Sequence, residues 1–116
     1  MMQGRARIRY SPTFNTDLDE TVYYIAAVLQ NSDATESFVH DVENAVEKRS
    51  LNPEIFSAYG WSMNNSVPYY RIIVGNFIVL YVVLTEDNEK IIEVRRLLYG
   101  RRNISLLIFG VENREN

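Results

Sequence analysis

The chain has 116 residues, 47% of them apolar, and a formal net charge of −3 at pH 7, which fits a single domain with its own core. It contains no cysteine and one histidine, His40, which excludes disulfides, thiolate metal sites and a site built from several histidines. We therefore expect no metal and no cofactor. The apolar runs are too short to cross a bilayer, and the N-terminus lacks the apolar run of a secretion signal. We expect a cytoplasmic protein with no membrane partner.

Residues 5–10 alternate strictly between arginine and apolar side chains, which predicts a half-buried strand. Its arginines, Arg5, Arg7 and Arg9, lie on one face. They could follow a phosphate backbone, or they could protect an exposed sheet edge from pairing with other chains. Ser11-Pro12 ends the strand, because proline cannot donate to the ladder but can open a helix.

Two amphipathic helices are predicted next. In residues 13–30 the apolar side chains recur every three or four positions, which places them on one helical face. Asp33 is the predicted N-cap of the second helix, which runs to about Ser50 and is stopped by Asn52-Pro53. A short link makes these helices an antiparallel hairpin, whose apolar face needs a sheet to cover.

Opposite charges occupy different parts of the chain. Residues 17–47 contain eight acidic residues and no lysine or arginine, whereas most arginines lie in the predicted strands. We therefore expect acidic helices and a basic end of the sheet, so the negative net charge does not exclude an anionic partner.

Residues 52–68 are predicted to form a loop, in which Trp61 either packs against the core or binds a partner. From Tyr69 the pattern predicts three strands, joined by a tight turn at Gly75-Asn76 and a charged turn at residues 86–90. The strand that follows Gly75 is apolar on both faces, which indicates a central position.

The predicted fold class is α+β, as one domain over residues 1–116 in the order β-α-α-β-β-β. Four strands form a mixed or antiparallel sheet, and the helix hairpin covers one face of it. A short apolar helical piece follows Asn103, and residues 110–116 are expected to fray. The second face of the sheet is either packed by this C-terminal segment or left for a partner.

Tyr99 and the arginines around the last strand are the main candidates for function. A guanidinium group can bind two phosphate oxygens at once, and a guanidinium or a nearby tyrosine ring can stack on a base. Arg71, on the neighbouring strand, could belong to the same site. Alternatively, Glu93 and the acidic helices pair with these arginines, and the tyrosine packs. Strand alternation places Arg96 on the face of Ile92 and Val94, and places Arg95 on the other face with Glu93, Leu97 and Tyr99.

The order of elements and two segments, Tyr70–Tyr81 and Arg96–Asn103, resemble the RelE/ParE family of bacterial toxins. The second segment is similar to the histidine-glycine-x-arginine-aspartate ending of ParE-like toxins, with Tyr99 in place of the histidine and Asn103 in place of the aspartate. The resemblance covers residues 5–108. It implies the growth-inhibiting toxin of a type II toxin–antitoxin pair, neutralised by a cognate antitoxin protein.

The resemblance implies two alternative targets. ParE-like members bind and inhibit DNA gyrase, whereas RelE-like members are metal-independent, ribosome-dependent mRNA endonucleases. RelE-like nucleases commonly carry an arginine three residues before the tyrosine of the third strand, where this chain has Ile78. Their sites also draw on lysines or a catalytic histidine, and this chain has only two lysines. These departures favour gyrase inhibition.

Each alternative implies its own functional residues. The residues implied for binding the target are Arg95, Arg101, Arg102 and Asn103. The catalytic residues implied for a nuclease are Arg71, Arg96, Tyr99 and Arg101. A third alternative is an inactive scaffold that only binds the antitoxin.

Overall fold

The structure, a computed structural model, describes residues 5–58, 60–61 and 67–100. Its elements are, in chain order, β1 (Arg7–Tyr10), α1 (Pro12–Leu29), α2 (Ser32–Ser50), β2 (Gly60–Trp61), β3 (Pro68–Val74), β4 (Phe77–Glu86) and β5 (Glu89–Tyr99). The sheet order is β1-β5-β4-β3-β2, with β1 parallel to β5 and the other pairs antiparallel. The α+β class and the mixed sheet are confirmed. The helical piece predicted after Asn103 and the frayed tail lie outside the described residues.

The short strand β2 is the one element of the described sheet that the sequence did not predict. Gly60 pairs with Tyr69 and Trp61 pairs with Pro68, so β2 adds a fifth strand of two residues beside β3. Two residues are too few to show the alternation by which a strand is recognised in sequence.

Local capping explains where both helices begin. The Ser11 hydroxyl accepts a hydrogen bond from the Phe14 N–H, and Pro12 takes the first helical position, where its missing N–H costs nothing. Asn31, and not Asp33 as predicted, is the N-cap of α2. Its extended backbone aims Oδ1 at the N–H groups of Asp33 and Ala34, which lie 3.0 and 3.2 Å away.

The helix hairpin packs on one face of the sheet. Phe14 of α1 and Val42 and Val46 of α2 are buried against the central strands, in one cluster with Val79 and Tyr81. On the other face, buried Ile78 and Leu80 form a second cluster with Tyr69 and Leu98. The prediction that this strand, β4, is central and apolar on both faces is therefore confirmed. No helix in the described part of the chain combines the length and apolarity needed to cross a membrane.

Both hairpin turns need left-handed backbone. Gly75 has φ +60, as predicted for the first turn, while Asp87 and Asn88 have φ +53 and +66 in the second. A two-residue loop with both φ values positive matches the right-handed twist of the flanking strands. The second turn is therefore tighter than the predicted five-residue turn, and its acidic neighbours belong to β4 and β5.

A β-bulge interrupts the pairing of β4 with β5. Tyr81 lies opposite Val94 and Leu80 lies opposite Arg96, so Arg95 is one extra residue in β5. The extra residue reverses the alternation of the side chains that follow. Leu97 therefore joins Val94 in the core beneath the helices, and Arg96 shares the opposite face with Leu80. The predicted grouping of Arg96 with Val94, and of Leu97 with Arg95, is wrong for this reason.

Candidate functional site

The Asp17 carboxylate occupies the edge of β5 that β1 leaves unpaired. The described pairing of β1 ends at Tyr10, opposite Val94. Beyond this point Asp17 Oδ2 accepts hydrogen bonds from the Leu97 N–H at 2.9 Å and from Arg96 Nε at 2.8 Å, and Oδ1 accepts from Arg96 Nη2 at 3.3 Å. The pKa of Arg96 is raised above its ordinary value, mainly by the hydrogen bond to Asp17. Arg96 is therefore a fixed cation whose charge is already balanced.

The bulge residue Arg95 belongs to a chain of ion pairs. Its Nε donates to Glu93 Oε1 at 2.9 Å, and Glu93 Oε2 accepts from Arg9 Nε at 3.0 Å. Arg9 also donates to both carboxylate oxygens of Glu86, at 3.0 and 3.2 Å. Glu93 thus acts as a partner of two arginines, as the alternative interpretation of the sequence states.

The arginines of β1 lie at an edge of the sheet. Like Arg9, Arg7 has an acidic partner on the β4–β5 hairpin: its Nη1 lies 3.2 Å from Glu89 Oε1. Neutralised charges on an edge strand fit the second sequence interpretation, protection of the edge, better than contact with a phosphate backbone.

Arg71 and Arg96 both lie opposite Leu80 of β4, one on each neighbouring strand. Arg71 is opposite Leu80 across the β3–β4 ladder, and Arg96 is opposite Leu80 across the β4–β5 ladder. Directly opposite side chains share a face. Both arginines therefore extend from the face away from the helices, where Tyr69 packs beside Leu80. The structure therefore places these two predicted site residues on the same face of the sheet, with Leu80 of β4 between them.

Tyr99 extends from the other face. It lies opposite Phe77, and the two rings meet edge to face with centroids 5.3 Å apart. Tyr99 and Phe77 line a cavity together with Tyr24 of α1, and Tyr99 is 56% exposed. Phe77 and Leu80 are three residues apart in a regular stretch of β4, so they face opposite sides. The sheet therefore separates Tyr99 from Arg71.

The remaining predicted site residues, Arg101, Arg102 and Asn103, lie outside the described residues, so their roles stay predictions. His40 is exposed on α2. In residues 5–58, 60–61 and 67–100, no three His, Cys, Asp or Glu side chains are grouped so that they could hold a metal ion.

Arg49 is a candidate that the sequence did not suggest. Its Nη1 donates to the Arg71 carbonyl at 3.0 Å and to the Tyr81 hydroxyl at 2.9 Å, and the Tyr81 hydroxyl donates to the Pro53 carbonyl at 2.7 Å. Burial is the main cause that raises the pKa of Tyr81. In sequence, Arg49 follows Lys48 in the last turn of an acidic helix, where basic residues normally complement the helix dipole. That pattern gave no signal for a site.

A sequence model of the family described as "ParE toxin of type II toxin-antitoxin system, parDE" matches residues 8–104. The match runs from within β1 to just beyond β5 and includes both helices. A comparison with curated protein sequences finds no match. The family match confirms the resemblance stated from the sequence. The chain therefore belongs to the ParE toxin family: it is the toxin of a type II toxin–antitoxin pair, and a cognate antitoxin is its partner.

Proposed function

We propose that this toxin arrests growth by binding DNA gyrase and that it performs no chemistry of its own. The contact surface is centred on the end of β5, with Arg95 from the described residues and Arg101, Arg102 and Asn103 from the segment that follows. The observation that carries the proposal is the separation of Tyr99 from Arg71 by the sheet.

Metal-independent cleavage of a phosphodiester needs an acid, a base and cations around one phosphate. In the described part of the chain, Tyr99 and Arg71 extend from opposite faces. Arg96 is held by Asp17, and Glu93 is shared between two arginines. Binding makes no such demand, because a partner surface can use charges that lie side by side without converging on one atom.

A supercoiling assay tests the proposal directly. Toxin made by cell-free synthesis is added to gyrase with relaxed plasmid and ATP, and both supercoiling and trapped DNA cleavage are measured. We expect concentration-dependent inhibition, relieved by purified cognate antitoxin. Arg95→Ala is expected to weaken inhibition, with Arg7→Ala as the matched control, because Arg7 lies on the neighbouring strand β1 opposite Ile91, four residues before Arg95. Unchanged supercoiling at saturating toxin refutes the proposal.

One observation favours the RelE-like alternative: Arg71 and Arg96 lie on the same face of the sheet, on either side of Leu80. Both guanidinium groups could hold one RNA phosphate if Arg96 exchanged Asp17 for it. Primer extension on ribosome-bound mRNA distinguishes this function from gyrase inhibition. New cleavage sites that Arg71→Ala abolishes and Arg7→Ala retains would establish the nuclease. If expression without antitoxin causes no growth arrest, the antitoxin-binding scaffold is the remaining function.

A further inference from the structure

A cavity of about 560 Å³ lies between the end of α2, the loop that follows it and β3. Its walls include Arg49, Phe56, Ser57, Tyr70 and Ile73. This volume falls within the range of small-ligand pockets, in which a few polar groups are set among apolar walls. Arg71, a residue predicted for the nuclease alternative, also lines this cavity, but none of the predicted functions gives a role to Arg49 or Phe56.

Among the described residues, only neutral groups hold Arg49 in place. Both of its hydrogen bonds leave from Nη1, to a backbone carbonyl and to the Tyr81 hydroxyl. The guanidinium carbon lies 4.8 Å from the centre of the Phe56 ring and 5.8 Å from that of Tyr81, within the range of cation–π attraction. Nε and Nη2 donate to no other described residue. The guanidinium is therefore oriented before any ligand arrives, and two of its nitrogens can still donate.

The charge of Arg49 lacks a counter-ion among the described residues. Four other arginines each pair with a carboxylate: Arg7, Arg9, Arg95 and Arg96. The acidic residue of the loop, Glu54, pairs instead with Lys90. A half-buried, oriented guanidinium in a cavity is suited to a planar anion that accepts two parallel hydrogen bonds.

The surroundings favour a carboxylate over a nucleic-acid phosphate. Phe56 and Ile73, at the mouth of the cavity, are 60% and 61% exposed, and they offer apolar surface to a side chain next to the anion. An aspartate or glutamate of a peptide brings a neighbouring side chain that can cover this surface, whereas an isolated phosphate group does not.

We propose that this cavity binds an aspartate or glutamate side chain of the antitoxin, with the neighbouring apolar side chain of that peptide on Phe56 and Ile73. The antitoxin is the occupant because it is the partner protein that the family assignment supplies. The inference does not depend on the toxin's target, so a negative gyrase assay leaves it intact.

A matched pair of peptides tests the site on the unaltered toxin. The probes are acetyl-Leu-Asp-Phe-amide and its Asn analogue, followed by NMR through the Nε–H signal of Arg49. We expect the Asp peptide to shift this signal and to bind about tenfold more tightly than the Asn peptide, the usual scale for one charge-assisted hydrogen bond. Equal binding of the two peptides overturns the proposal. A uridine oligonucleotide that shifts the signal at lower concentration than the Asp peptide also overturns it.

The complex with the cognate antitoxin provides the second test. Arg49→Gln is expected to weaken antitoxin binding about tenfold, whereas the control Arg7→Gln leaves it unchanged. One acidic residue of the antitoxin, changed to its amide, is expected to cause the same loss in wild-type toxin and no further loss in Arg49→Gln. Additive losses for every acidic position refute the contact. Phe56→Ala removes an exposed ring and its contact with Arg49. It is expected to weaken the same complex, which keeps the test decisive if Arg49→Gln fails to fold.

Discussion

Replacing Asp17 with alanine removes the carboxylate that joins α1 to the unpaired edge of β5. Three hydrogen bonds are lost together, two from Arg96 and one from the Leu97 N–H. Arg96 is then left without its counter-charge, and the edge N–H loses its acceptor. The variant therefore measures how strongly this contact holds the helix hairpin on the sheet.

The magnitude follows from burial. The side chains of Asp17 and Arg96 are 12% and 31% exposed, so water only partly replaces the lost partner. Breaking a fully buried pair costs about 3–5 kcal/mol, and a hydrogen bond to a charged group contributes roughly 1.5–3 kcal/mol. We expect Asp17→Ala to lower the free energy of unfolding by about 2–3 kcal/mol. At roughly 4 °C per kcal/mol for a domain of this size, Tm falls by about 8–12 °C.

Urea unfolding at neutral pH measures this loss, with Asp19→Ala as the control. Asp19 is an exposed acid on the same helix, and its removal is expected to cost less than about 0.5 kcal/mol. A double-mutant cycle with Arg96→Ala should give a coupling of about 1 kcal/mol or more. Because the Arg96 pKa is raised, Arg96 is charged throughout the neutral range, and on the alkaline side this contribution is lost only above the ordinary arginine value. It is therefore constant between about pH 6 and 9.

Equal stabilities of Asp17→Ala and Asp19→Ala, or a coupling near zero, would refute the reasoning. The prediction also bears on function. Because Arg96→Ala weakens the fold, loss of toxicity in that variant is not by itself a sign of contact with a target or of catalysis. Stability has to be measured beside activity.

Two further predictions concern Tyr81 and Arg9. Tyr81→Phe leaves the Pro53 carbonyl without its donor and should cost about 1–2 kcal/mol in urea unfolding, whereas Tyr70→Phe, in the ring stacked on it, should cost less; equal losses would contradict this. The hydrogen bond from Arg9 is the main cause that lowers the pKa of Glu86, so its contribution is present above the ordinary glutamate value and is lost as the pH falls below it. The Tm difference between wild type and Arg9→Gln should therefore shrink between about pH 5 and 3, and a constant difference would show that this ion pair does not set it.

Much of the fold follows from local patterns. Side chains repeating every three or four residues predicted both helices, and Ser11-Pro12 predicted where α1 begins. The β-branched runs and Gly75 predicted the meander, and the two-sided apolar pattern predicted the central place of β4. These features depend on residues that are close together in the sequence, so a single sequence is enough to predict them. The family resemblance rested on the same order of elements.

The candidate site was harder to predict from the sequence, because its contacts join residues that are far apart along the chain. Asp17 meets Arg96 across 79 positions, and Arg49 meets Tyr81 across 32. Side-chain alternation assumes an unbroken ladder, and the extra residue Arg95 breaks it without any signal in β5 itself.

By itself, the sequence determined the α+β class, the element order and the toxin family, since these arise from periodicity, turn residues and motifs along the chain. Only the tertiary structure decided which charges are available. It placed Tyr99 and Arg71 on opposite faces through strand register, and it gave carboxylate partners to Arg95 and Arg96. It also left the Arg49 guanidinium oriented by neutral groups, because hydrogen-bond partners are chosen by packing in space.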